Sequence, residues 1–252
     1  VSGIHSMSIQ YPEFMRTDHL YVFDVDGTLT PSRQKMDEAF KRFFSRFASR
    51  NFVYLVTGSD RDKTMEQIGA DLCGLADRVY NCSGNHVFEG HNEIYRSDWR
   101  LPLDAEEWLK QNLDQSMFHI KTGAHFDHRI GCCNFSVIGR NCKLYEREEY
   151  VKYDNINKER ERIAREFEEK FPDIEAVIGG ETGLDIFPRG KNKGQIMEDL
   201  DWHSVHFFGD KMQEGGNDAP LSNKIDNRPF GYTYAVKDWK HTWEILEGFT
   251  YT

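Results

Sequence analysis

Leu20-Tyr21-Val22-Phe23-Asp24-Val25-Asp26-Gly27-Thr28 is an apolar run that empties into two carboxylates and a glycine turn. The run predicts a buried strand. An aspartate leaving such a strand needs its charge met, because an unpaired buried carboxylate is costly. A cation and a phosphate would meet it together. The first carboxylate could attack phosphorus and the second could move a proton. Gly27-Thr28 could wrap backbone N–H groups around phosphoryl oxygens. An acidic turn after a strand is the bland alternative, so other segments must decide.

Outward from this run, strands alternate with helices at both ends of the chain. Met36, Ala39, Phe40, Phe43, Phe44 and Phe47 recur at helical spacing. Val53–Val56 reads as a second buried strand closed by Thr57-Gly58-Ser59-Asp60, where Ser59 or Asp60 can cap a helix that Gly69 ends. Lys193–Leu200 reads as helical, Val205–Phe208 and Tyr232–Val236 as strands, and Trp239–Glu247 as a last helix. That order predicts an α/β fold, a Rossmann-like parallel sheet covered on both faces, with ligands at the carboxyl ends of its strands.

From about His86 to Phe187 the pattern changes to short alternating runs, Ile130–Ile138 and Ile174–Ile178. A charged helix from about Asn155 to Phe171 lies between them, with Ile156, Ile163, Phe167 and Phe171 as its apolar stripe. These features predict an inserted α+β cap with an antiparallel sheet. The expected division is a core of residues 1–86 and 188–252 and a cap of residues 87–187. The charged face of the helix Lys158–Lys170 reads as solvated.

The chain has 252 residues, enough for one core plus a smaller insertion. Its formal net charge of −10 argues against nucleic acid as a partner. No apolar run approaches the roughly 20 residues of a membrane span, and no signal-peptide pattern is visible. Val1–Ser6, ahead of Met7, reads as a vector remnant. Cys73, Cys82, Cys132, Cys133 and Cys142 form an odd set without a C-x-x-C spacing, which fits reduced thiols in a cytoplasmic protein.

Four separated segments carry the chemistry: Asp24/Asp26, Thr57-Gly58-Ser59, Lys193, and Phe207-Phe208-Gly209-Asp210 running on to Gly215-Gly216-Asn217-Asp218. Singly, each has an ordinary reading: a helix cap, a surface lysine, an acidic turn. Together and in this order they resemble the motifs of the haloacid dehalogenase superfamily. The resemblance implies Asp24 as a nucleophile that becomes an aspartyl phosphate and Asp26 as general acid/base. It places the phosphoryl group on Thr57 (or Ser59), Gly58 and Lys193. It implies Mg²⁺ on the Asp24 carboxylate, the Asp26 backbone carbonyl and Asp210, with Asn217 and Asp218 supporting that site. A hard cation plus a lysine offsets carboxylate–phosphate repulsion, which phosphoryl transfer requires.

Beyond those motifs, Phe23–Arg33, Gly58-Ser59-Asp60-x-x-Lys63, Phe207–Asp218 and Gly231-Tyr232-Thr233 resemble the eukaryotic-type phosphomannomutases. So does Arg129-x-Gly131-x-x-Asn134-x-Ser136-x-Ile138-Gly139-Arg140-Asn141-Cys142, followed by Glu146-Arg147, and so does Gly179-Gly180-x-x-x-x-Asp185-x-Phe187-Pro188. The resemblance implies substrate contacts at Arg33, Arg129, Arg140, Arg147 and Asp185, a hexose 1,6-bisphosphate activator, and a homodimer through the caps. Guanidinium forks suit a second phosphate held in the lid. Departures are Gly183 in place of a serine, Thr57 in place of a glycine, Ser83-Gly84-Asn85 near the hinge, and the pair Cys132-Cys133 in place of apolar residues. The expected activity is interconversion of mannose 6-phosphate and mannose 1-phosphate. A sugar-phosphate phosphatase using water is the alternative, and a non-catalytic phosphosugar binder is a third reading that gains nothing from keeping both Asp24 and Asp26.

Overall fold

Two sheets organise the protein in the computed structural model, which describes residues 18–250. Val1–Ser6 lies outside the described residues. The chain enters through β1 (His19–Phe23), crosses by α1 (Glu38–Arg50) to β2 (Phe52–Val56), and by α2 (Arg61–Ile68) and α3 (Ala70–Leu75) to β3 (Arg78–Asn81). A hairpin, β4 (His86–Glu89) and β5 (Asn92–Arg96), follows. Then come α4 (Leu103–Gln115), β6 (Phe126–Arg129), β7 (Cys132–Ser136), α5 (Leu144–Asn157), α6 (Glu159–Lys170), β8 (Ile174–Gly179) and β9 (Gly183–Pro188). The return is a 3₁₀ helix (Lys193–Asp199), β10 (Ser204–Gly209), α7 (Ala219–Asp226), β11 (Gly231–Ala235) and α8 (Trp239–Thr250).

The first sheet has seven strands in the order β11-β10-β1-β2-β3-β4-β5, parallel from β11 to β3 and antiparallel from there outward. The second is antiparallel, β6-β7-β9-β8. This is a mostly parallel α/β core with an inserted antiparallel cap. The expected boundary at residue 87 falls inside β4, because the β4–β5 hairpin extends the first sheet rather than opening the second. The chain crosses between the two units at 97–102 and again at 189–192.

Two other expectations change. The helix over 155–171 is two helices, broken at Lys158, which takes a left-handed conformation (φ 54°). Ile156 falls before that break and is 81 % exposed, so it drops out of the stripe that Ile163 and Phe167 fill. The alternating run from Ile130 starts in a turn, and β7 begins at Cys132. Asp60, not Ser59, caps α2: its side chain accepts the Lys63 N–H.

The parallel core is built on aromatic rows. In-register pairing sets Phe23, Phe208 and Tyr234 side by side, with stacked rings 4.8 and 4.4 Å apart. One pleat back, Tyr21, His206 and Tyr232 repeat the arrangement at 4.9 and 4.8 Å. The first row ends next to Asp24, so it fixes where that carboxylate emerges. In the cap sheet, Phe135, Leu184, Ile186 and Ala176 pack inward under α4 and α6, while Asn134 and Asp185 point to the other face. Among the described residues no helix is long and apolar enough to cross a membrane.

His206 lies in the second row between the Tyr234 hydroxyl (3.1 Å), Ser204 and His19 (3.2 Å each). Burial, reinforced by His19, pushes its pKa down from 6.5 to about 4. The unfolded chain therefore binds the proton first on acidification, and stability falls as pH drops through that window. Thermal melts are expected to show a lower midpoint near pH 5 than near pH 7, and His206→Phe to flatten that slope.

Candidate active site

The carboxyl ends of β1, β2 and β10 converge, and each contributes its next residue. Asp24 follows β1, donates its N–H to the Phe208 carbonyl (2.9 Å), and is 3 % exposed. The Thr28 hydroxyl donates to its Oδ2 (3.2 Å). Lys193 is 1 % exposed and reaches Asp24 Oδ1 at 2.5 Å and Asp218 Oδ1 at 2.7 Å. The second Asp218 oxygen accepts the Lys211 N–H (3.0 Å), so each oxygen of this fully buried carboxylate has a protein donor. Asn217, beside it, is exposed.

Asp210 completes the group. Carboxylate oxygens of Asp24, Asp210 and Asp218 lie within 4.8 Å of one another. Its Oδ1 is buried without a hydrogen-bond partner. One ammonium against three carboxylates leaves two negative charges, the charge of one divalent cation. The orphaned oxygen and the all-oxygen donor set fit a hard cation such as Mg²⁺. Burial, then the neighbouring Asp218, raises the Asp210 carboxyl above its ordinary range. Burial likewise pushes Asp24 up to about 7, with Lys193 pulling the other way. A cation would favour the ionised forms of both. Gly27 closes this corner: at φ +84° it has the left-handed backbone, and a Cβ there would stand 2.4 Å from Asp210 Oδ2.

The phosphate loops differ from expectation at one point. The N–H groups of Gly27 and Thr28 are taken inside the turn, by the carbonyls of Thr30 (3.0 Å) and Val25 (3.2 Å). They are not the donors anticipated for a phosphoryl group. Thr57 is buried at the end of β2, and its hydroxyl oxygen accepts the Ser59 N–H (3.1 Å), which leaves the hydroxyl proton free to donate. Gly58 is exposed beside it.

Asp26 is held through one oxygen. Its Oδ1 accepts the Arg33 backbone N–H and the Gln67 Nε2 (2.9 Å). The exposed Arg33 has φ 58°, a left-handed turn that aims its N–H at Asp26. Gln67 carried no sequence signal.

On the cap, Arg129 Nε and Arg140 Nη1 share Asp127 Oδ2 at 2.7 and 2.8 Å. Arg147 pairs with Glu181 in the β8–β9 turn at 3.5 Å, and its Nε is buried without a partner. Asp185 Oδ1 accepts Asn134 Nδ2 (2.8 Å), and Arg129 lies in the field of Asp185. Asp127, Asn134 and Asp185 are in register across three strands, so the arginine cluster and the carboxylate occupy one polar sheet face. Asn134 also explains Gly183: a Cβ there would stand 2.6 Å from its amide nitrogen. The hairpin tip Gly131 (φ +71°) docks on the core, where a Cβ would stand 2.4 Å from Asn85 Cγ. Cys82, in the same core turn, is pushed up to about 11 by burial and then by Asp60, and Arg129 opposes that shift from across the domain gap. All five cysteines are free thiols.

A family model described as eukaryotic phosphomannomutase matches residues 40–249. A phosphomannomutase of Galdieria sulphuraria is 37 % identical over 228 residues, covering 86 % of this chain and 90 % of the relative. One of Drosophila melanogaster is 32 % identical over 248 residues, covering 92 % and 97 %. Among solved structures, a haloacid dehalogenase-like hydrolase from Bacteroides thetaiotaomicron superposes with TM-score 0.58 at 13 % identity, covering 92 % of this chain and 99 % of that one. A trehalose-6-phosphate phosphatase of Aspergillus fumigatus gives 0.54 at 16 %, covering 92 % and 91 %. At those identities the two structures speak for the fold alone.

Removing Lys193 strands two buried carboxylates. Lys193→Met is expected to cost about 3–5 kcal/mol in denaturant unfolding at neutral pH.

Proposed function

Since the chain belongs to the eukaryotic phosphomannomutase family of the haloacid dehalogenase superfamily, we propose that it interconverts mannose 6-phosphate and mannose 1-phosphate through a phosphorylated Asp24. The observation that carries this reading is the pairing of two anion sites. One is the Lys193–Asp24 corner of the core. The other is the set of cap arginines, Arg129 and Arg140 on Asp127 and Arg147 on Glu181, with the β6–β7 hairpin tip resting on the core at Asn85. A hexose bisphosphate needs both at once, and a phosphatase needs only the first.

In this reading an Asp24 oxygen attacks the phosphorus of a hexose 1,6-bisphosphate as the ester bond to the sugar breaks. Asp26 gives its proton to the departing sugar oxygen. Mannose 1-phosphate then binds with its phosphate in the cap, and its 6-hydroxyl loses a proton to Asp26 while taking the phosphoryl group from Asp24, which gives mannose 1,6-bisphosphate. That bisphosphate turns over between core and cap and returns its 1-phosphoryl group to Asp24 as Asp26 protonates the departing O1, leaving mannose 6-phosphate. Lys193 and the Thr57 hydroxyl hold phosphoryl oxygens during each transfer. Asp24, Asp210 and the Asp26 carbonyl would hold Mg²⁺, which supplies charge neutralisation between carboxylate and phosphate. The cap arginines exchange Asp127 and Glu181 for the distal phosphate, and Asp185 takes sugar hydroxyls. Closure of the cap would keep water from the aspartyl phosphate. The same reading includes a homodimer formed through the caps.

Hydrolysis with water as acceptor is the competing reading, favoured by Gly183, which offers a substrate no hydroxyl. Incubation with mannose 1-phosphate and Mg²⁺, with and without hexose 1,6-bisphosphate, separates the two. Bisphosphate-dependent formation of mannose 6-phosphate is expected, lost on chelation and in Asp24→Asn. Steady release of inorganic phosphate with no isomer would reject the mutase.

A further inference from the structure

Gln67 is an expensive residue to bury where it stands. It occupies the last turn of α2, is 3 % exposed, and its Oε1 has no hydrogen-bond partner. A buried acceptor left without a donor is destabilising. Its Nε2 donates to Asp26 Oδ1 at 2.9 Å, and its backbone carbonyl accepts the Met36 N–H at 2.8 Å. The Arg33 N–H reaches the same Asp26 oxygen from the opposite side of the loop. Two donors therefore converge on Oδ1, and Oδ2 is the oxygen left to the substrate. The terminal torsion of an aspartate is broad and two-fold, so a single donor would not choose between its oxygens.

We propose that Gln67 is a positioning residue that fixes the Asp26 carboxyl with Oδ2 towards the departing sugar oxygen. The inference rests on the phosphoryl-transfer reading above. As the Asp24–phosphorus bond forms, the ester bond breaks and its electron pair goes to the sugar oxygen. The proton on Asp26 Oδ2 moves to that oxygen and makes a hydroxyl. Gln67 touches neither substrate nor phosphorus. Because α2 starts just after Thr57-Gly58-Ser59, Gln67 also couples the phosphate loop to the proton donor.

Leaving-group chemistry isolates this role. Acetate departs from acetyl phosphate as a stable anion without a proton, whereas a sugar alkoxide does not. The experiment compares wild type and Gln67→Met in two assays: turnover of mannose 1-phosphate with hexose 1,6-bisphosphate, and incorporation of phosphate into Asp24 from acetyl phosphate. Relative to wild type, the variant's sugar-phosphate kcat is expected to fall at least about tenfold further than its acetyl-phosphate rate, with KM within about twofold. The thermal midpoint should hold, because methionine keeps the volume and removes the orphaned oxygen. Gln67→Asn, one methylene too short to reach Asp26, should show the same split. Equal losses with both donors, or a lower midpoint with kcat intact, would make Gln67 merely structural. Wild-type protein that takes no phosphate from either donor would overturn the parent reading, and this one with it.

Discussion

A lysine 1 % exposed, clamped between two buried carboxylates, is the constraint around which this protein is assembled. None of the three charges could be left there alone. The Lys193 ammonium is held firmly protonated by Asp24 and Asp218 although burial works against it. Its partners come from chain positions 24 and 218, so the site forms only when β1, the turn after β10 and the segment returning from the cap are all in place. That dependence makes the site a product of the whole core rather than of any one loop. It also means that the second crossing from the cap ends at Lys193 within a few residues, tying lid position to the charge centre.

The rest of the architecture serves placement. Stacked aromatic rows hold β1, β10 and β11 in register, and the row nearest the site ends at the residue before Asp24. The cap sheet divides its labour by alternation, with one face closed by helices and the other carrying Asp127, Arg129, Asn134 and Asp185. Asp127 holds Arg129 and Arg140, and Glu181 holds Arg147.

What could be read in the sequence was what burial and charge make conspicuous together. An apolar run ending in Asp24 has few explanations, and the four motifs fall at strand ends as that logic requires. Periodicity failed where its information ends. Alternation shows that β4 and β5 have two faces, but not that they pair with β3, so the boundary was placed inside them. Helical spacing continued across Lys158, and only the left-handed backbone there shows the break. The N–H groups of Gly27 and Thr28 look like free donors in the sequence, yet the turn needs them itself. Gln67 and Asp127 act through side chains that meet their partners only in three dimensions, and neither residue type at its position carries a pattern.

The close approach of Gly131 to Asn85 gives the hairpin tip the character of a hinge stop. Backbone meets side chain there with no room for even a methyl group. Any larger side chain would have to displace Asn85 or lift the hairpin tip from it, so a hydrogen atom in place of a carbon is what lets cap and core meet at this point.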